Sequence, residues 1–97
     1  MRIMRENRTE PRAGTRLQVE ILWEDEAGNP HVAPAKLEDT SRSGAGIRAK
    51  QQIAAGQKII VKSRDGQFSG TVVYCNLRGG EYIMGVRKNP TDVSGQV

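Results

Sequence analysis

From residue 16 to 24 the chain alternates strictly enough to fix its local geometry. Leu17, Val19, Ile21 and Trp23 are apolar, Arg16, Gln18, Glu20 and Glu24 are polar, and only Leu22 breaks the polar side. A period of two sends successive side chains to opposite faces, so this stretch predicts a strand with one buried face. Five further strands are expected on similar grounds, over residues 31–38, 46–50, 58–64, 67–77 and 81–88. Pro34 confines the second to an edge or a bulge, because proline has no N–H for the ladder. Ile59, Ile60 and Val61 mark the fourth through β-branching. Turn chemistry separates the strands: Gly28-Asn29-Pro30, a pivot at Gly56, a tight hairpin at Asp65-Gly66 and a second at Gly79-Gly80, with Gly70 a bend inside the fifth strand.

No helical period interrupts this series, and six short strands at near-even spacing predict an all-β fold, a small six-stranded antiparallel β-barrel. Its expected core is Leu17, Val19, Ile21, Trp23, Leu37, Ile47, Ile59, Val61, Phe68, Val72, Tyr74, Ile83 and Val86. The neighbouring pairs Ile59/Ile60 and Val72/Val73 are apolar on both faces. Part of the outer wall should therefore be covered, by the C-terminal tail or by a second subunit. The domain reading is an Arg-rich flexible N-terminal arm over 1–14, the barrel over 15–90 and a tail over 91–97.

Charge is concentrated in the arm. Arg2, Arg5, Arg8, Arg12 and Arg16 against Glu6 and Glu10 give the first sixteen residues +3 of the chain's net +4. A cluster that is all arginine favours forked or stacking contacts with phosphates and bases over simple point charge. Other chemistries find little support. The lone Cys75 cannot form an internal bridge and reads as a buried, inert thiol; no Cys/His cluster suggests zinc, and no metal or resident cofactor is expected. His31 reads as a surface residue without an evident partner. One histidine, one cysteine and no paired carboxylates in a plausible pocket leave no constellation for catalysis, so the chain is not expected to be an enzyme. The longest apolar run is four residues, far short of a membrane span, and the Arg-rich start has no apolar leader. The expectation is a soluble, cytoplasmic protein without membrane insertion.

A polar loop then draws attention: Asp39-Thr40-Ser41-Arg42-Ser43-Gly44, running into Ala45-Gly46. It sets a carboxylate, hydroxyls and a guanidinium beside glycines that can take φ > 0 and admit a flat ligand close to the backbone. By itself such a string is an ordinary turn. Together with Arg8-Thr9-Glu10-Pro11-Arg12 on the arm, and a six-stranded barrel, it resembles the PilZ domain family. The signature of these bacterial cyclic di-GMP receptors is RxxxR followed by (D/N)xSxxG. The likeness continues through Gly70-Thr71-Val72 and Gly85-Val86-Arg87, roughly over residues 5 to 90.

The resemblance implies binding of cyclic di-GMP through Arg8 and Arg12 on the arm and Asp39, Ser41 and Gly44 on the loop, with Asn7, Arg42 and Gly46 beside them. Asn7 stands where members often carry a further arginine, at a position resembling the one that decides whether one ligand or an intercalated pair is held. Lys88 stands where the last strand often closes on an aromatic. The residue types suit the ligand. An arginine fork matches O6 and N7 of guanine, and a carboxylate accepts from the N1–H and N2–H₂ of its other edge. The expected partners are cyclic di-GMP and an unidentified downstream protein that reads the outer apolar face or the reordered arm; the chain itself is a monomer or homodimer. Alternatives are a small basic barrel for single-stranded nucleic acid, which pI ≈ 9.6 permits, and a PilZ-like adaptor that no longer binds nucleotide. Nucleic acid is the weaker reading, because such surfaces use exposed aromatics and at least three of Trp23, Phe68, Tyr74 and Tyr82 fall on inward positions. The bland reading of Arg12 is a salt bridge to Asp39 or Glu38, and that of Asp39 and Ser41 a capped turn.

Overall fold

A computed structural model describes residues 13–90, with side chains from Arg16 onward. They form six strands: β1 (Ala13–Glu24), β2 (Pro30–Thr40), β3 (Gly44–Ala49), β4 (Lys58–Ser63), β5 (Gly66–Arg78) and β6 (Glu81–Lys88). All pairs are antiparallel, and the order β1-β2-β3-β6-β5-β4 closes when β4 pairs back onto β1. The expected barrel is present, and no strand end departs from its expected place by more than three residues. Pro34 pairs with Glu20 on β1 and lies one residue past Ala35, where β3 ends opposite Ala49, so it occupies the edge that its missing N–H requires. The two hairpins are tight: Ser63 pairs with Gly66 and Arg78 with Glu81. Gly79 and Gly80 have φ of 58° and 85°, the left-handed geometry that a two-residue turn of this kind needs.

The barrel is narrow, and its filling reflects that. Val19, Ile21, Leu37, Ile47, Ile59, Val61, Val72 and Val86 are buried as expected, joined by Ala33, Ala35, Ala45, Ala49, Ile53 and Met84. The alanines line β2 and β3, and a six-stranded barrel leaves little room for larger side chains there. Ile53 comes from the connection between β3 and β4 and packs into the same core. That connection is held on β5 by Gly56 N–H donating to Val72 O (2.7 Å) and Val72 N–H to Gln57 O (2.9 Å). Leu17, Trp23, Phe68 and Cys75 are only partly buried against the core, so the thiol of Cys75 is less enclosed than expected. Ile83 is likewise half-buried. Gly70 has no room for a side chain: a Cβ there would lie 2.5 Å from the Arg87 carbonyl oxygen.

Tyr74 corrects the expected core. It is 48% exposed. On β5 it sits two residues beyond the buried Val72, and strict alternation would place it inside. The register breaks between them, however: Val72 pairs with Val86, whereas Tyr74 pairs with Gly85. Val73 is therefore the extra residue of a β-bulge, which reverses the facing of everything after it. The apolar outer wall is also real, with Val32 and Val73 59% and 44% exposed. The tail considered as its cover, residues 91–97, lies outside the described residues.

Candidate functional site

A second bulge shapes the polar loop. On β2, Leu37 pairs with Ile47 but Asp39 pairs with Gly46, leaving Glu38 over. β1 shifts at the same level, between Gly14 and Leu17, where Arg16 adopts a left-handed φ of 52°. Without the Glu38 bulge, Asp39 would share the inward face of Leu37. With it, the Asp39 carboxylate lies on the outer wall over Gly46, where a Cβ would come within 3.1 Å of both carboxylate oxygens. Glycine at 46 is thus a matter of space. Neither Gly44 nor Gly46 has a positive φ, contrary to the expectation that their role is left-handed backbone.

The next strand repeats the arrangement. Gly46 pairs with Gly85 on β6, and Gly85 with Tyr74 on β5. A Cβ at Gly85 would fall on the Tyr74 ring, 2.7 Å from Cζ. Asp39 leans over one glycine, and the Tyr74 ring packs over its cross-strand partner. Directly paired residues have Cα atoms about 4.5–5.5 Å apart, so carboxylate and ring are neighbours on the outer wall.

The loop between β2 and β3 closes on itself and on β6. Ser41 N–H donates to the Gly44 carbonyl (2.8 Å), and Gly44 N–H donates to Ser41 Oγ (3.3 Å). Ser41 thus caps a turn, as the bland reading holds. Lys88 fastens this turn from the end of β6. Its ammonium donates to the Ser41 carbonyl (2.7 Å) and lies 4.7 Å from the centre of the Phe68 ring, while its N–H donates to Ser43 O (2.8 Å). Arg42 is exposed at the turn, and Gly44 pairs with Arg87. Glu38 is engaged by Arg48 (3.2 Å), which also reaches Glu81 (3.4 Å); the contact with Glu38 is the main reason the Arg48 pKa is raised.

Asn7, Arg8 and Arg12 lie outside the described residues. The strand that follows them does not: Ala13, bonded to Arg12, pairs with Thr40, and Gly14 pairs with Asp39. The chain therefore emerges from the arm beside the loop. Of the residues chosen from sequence, Asp39, Ser41, Arg42, Gly44 and Gly46 fall together at this one end of β2. Sequence reasoning missed Lys88, Gly85 and the outward Tyr74. The doubled apolar pair Val72-Val73 was the one available sign of a bulge, and nothing local marks Lys88.

Elsewhere on the barrel, a groove of ≈ 770 Å³ is lined by Leu22, Trp23, His31, Val32, Ile60 and Ser69 among others. It includes none of the loop residues. At its rim His31, though exposed, has partners after all: it stacks on Trp23 with centroids 5.2 Å apart, and its Nε2 lies 3.0 Å from Asp25 Oδ2. Among the described residues no group of His, Cys, Asp and Glu could hold a metal ion, and no helix is long and apolar enough to cross a membrane.

The family model for the PilZ domain matches residues 6–96. The chain belongs to the PilZ domain family. Comparison with curated proteins gives no match. Among solved structures, this PilZ domain is similar to the PilZ domain of YcgR from Escherichia coli, described with c-di-GMP. The TM-score is 0.66 and the identity 16%, covering 92% of this chain and 85% of that one. It is also similar to MrkH of K. pneumonia in a c-di-GMP complex, with TM-score 0.69 and 12% identity, covering 93% of this chain and 48% of MrkH. At such identities the likeness is one of fold, and the chain spans about half the length of MrkH.

Proposed function

We propose that this PilZ domain is a receptor for cyclic di-GMP, held between Arg8 and Arg12 of the arm and Asp39, Ser41 and Gly44 of the loop. The observation that carries the reading is the pairing of Ala13 with Thr40 and Gly14 with Asp39, so that the first strand, which follows the arm in sequence, starts beside the loop. Support also comes from the family and from the c-di-GMP described in YcgR and MrkH. In this reading the arginines supply forked donors to a guanine and to phosphate, and Asp39 accepts from the opposite guanine edge. Binding draws the arm onto the outer wall and so alters the surface offered to a downstream protein. The domain acts by binding and holds no catalytic role.

Calorimetric titration of the intact chain with cyclic di-GMP, against GMP and cyclic AMP, tests this directly. A saturable heat for the cyclic dinucleotide alone is expected, and its stoichiometry reads out the effect of Asn7. Absence of heat at high-micromolar ligand rules the function out.

A further inference from the structure

We propose that the outer wall of β1 and β4 is a dimer interface, on which a second copy of this chain packs face to face. The inference is independent of the cyclic di-GMP reading, because β1 and β4 lie across the closed barrel from β6 and β3. It starts from one row of side chains. Leu22 on β1 pairs with Val32 on β2 and with Ile60 on β4. Their sequence neighbours Ile21, Ala33 and Ile59 are buried, so all three point outward. The same three side chains line the groove of ≈ 770 Å³. A contiguous apolar patch of this kind marks a place where something docks.

What docks there is decided by the charges on either side of the row. Two residues before and after Leu22, β1 presents Glu20 and Glu24 on the same wall. Around Ile60, β4 presents Lys58 and Lys62, with Lys62 directly opposite Glu20. All four are exposed, and among the described residues none of them is in an ion pair. The wall is thus acidic along one strand, basic along the next and apolar through the middle.

Such a wall can be stacked on its own copy in two symmetric ways. A twofold axis across the strands would set Glu20 over the copy's Glu24 and Lys62 over its Lys58, like charge on like charge. A twofold axis along the strands, between β1 and β4, sets Glu20 over Lys62, Leu22 over Ile60 and Glu24 over Lys58. Both halves of that contact are the same, as an isologous interface requires. The charges of each outer row then alternate in sign, and the apolar row closes between them. The wall of Asp39 and Gly46 faces away from the axis in both copies, so the pair keeps that site open on each.

Sedimentation of the full chain from low to high micromolar concentration tests this, with folding followed by thermal melting. A reversible dimer is expected. Leu22→Lys should weaken it by more than about tenfold. Glu20→Lys or Lys62→Glu alone should do the same, since each sets like charges over one another in both halves. An equimolar mixture of the Glu20→Lys and Lys62→Glu chains should dimerise again, because each reversed charge then meets its opposite across the axis. On the parent chain, dilution should shift the amide resonances of β1 and β4 and leave those of the β2–β3 loop unmoved. That measurement decides the matter even if a variant fails to fold. A monomer at every concentration overturns the proposal, whether the wall is then covered by this chain's own ends or by another protein. A dimer indifferent to the single reversals, or a mixture that stays monomeric, overturns it as well.

Discussion

The two ends of β2 close in different ways. At one end Asp25 organises the turn into β2 from within a few residues: its Oδ1 accepts from the N–H groups of Ala27 and Asn29, both at 2.9 Å, and its Oδ2 meets His31. At the other, the Ser41–Gly44 turn makes its own short bonds but is also fastened by Lys88, 47 residues away in sequence. A turn satisfied by its neighbours needs nothing from the rest of the fold and presents few unmet needs to a ligand. A turn tied to a distant strand is set in place by the whole barrel, which is what a binding group requires if its acceptors are to be preorganised.

The sharpest way to break this contrast is to remove one carboxylate from each end. Asp39→Ala should weaken cyclic di-GMP binding about ten- to a hundredfold, since a charge-assisted hydrogen bond contributes ~1.5–3 kcal/mol. Asp25→Asn should leave the calorimetric affinity unchanged. Equal losses from both would abolish the distinction.

A smaller effect is expected from Lys88→Met, which keeps the apolar stem on Phe68 and deletes the bond to Ser41. For a half-exposed charged donor the loss is about 1 kcal/mol, hence roughly fivefold in affinity and a few degrees in Tm. A change in Tm without one in affinity would make the lysine a structural pin only.

The Asp25 end has its own signature in pH. The hydrogen bond from His31, followed by the backbone N–H of Asn29, holds the Asp25 carboxyl down at about 2, below its ordinary 3.8. A carboxyl lowered by folding stabilises the folded form above its unfolded value, and that contribution fades as pH falls from about 4 toward 2. The amide resonances of Ala27 and Asn29, both bonded to Asp25, should move together across that window. Amides that stay still there would show that Asp25 does not organise this end.

The smallest response is expected from Arg48→Gln. Its pairs with Glu38 and Glu81 sit at the surface, where salt screens them, so the melt of the variant should match the parent's in high salt. A large loss would mean that Arg48 holds the Glu38 bulge, and with it Asp39, in place.

Much of the fold was legible because one-sided strands advertise themselves. Leu17 to Trp23 declared β1, and Gly79-Gly80 declared the last hairpin through the left-handed backbone that glycine permits. The barrel's alanines were not legible as core, because a small side chain is buried only where the strands around it draw close. Tyr74 was misplaced for a different reason. Period-two reasoning assumes an unbroken ladder, and one extra residue at Val73 inverts it.

The sequence by itself determined the strands and the turns, since each depends on neighbours a few residues away. Which wall Asp39 and Tyr74 face, which glycines lie beneath them, and which lysine fastens the loop were decided only by the tertiary structure. Bulges form where two strands disagree in length, and a contact such as that of Lys88 with Ser41 exists only after the barrel has closed.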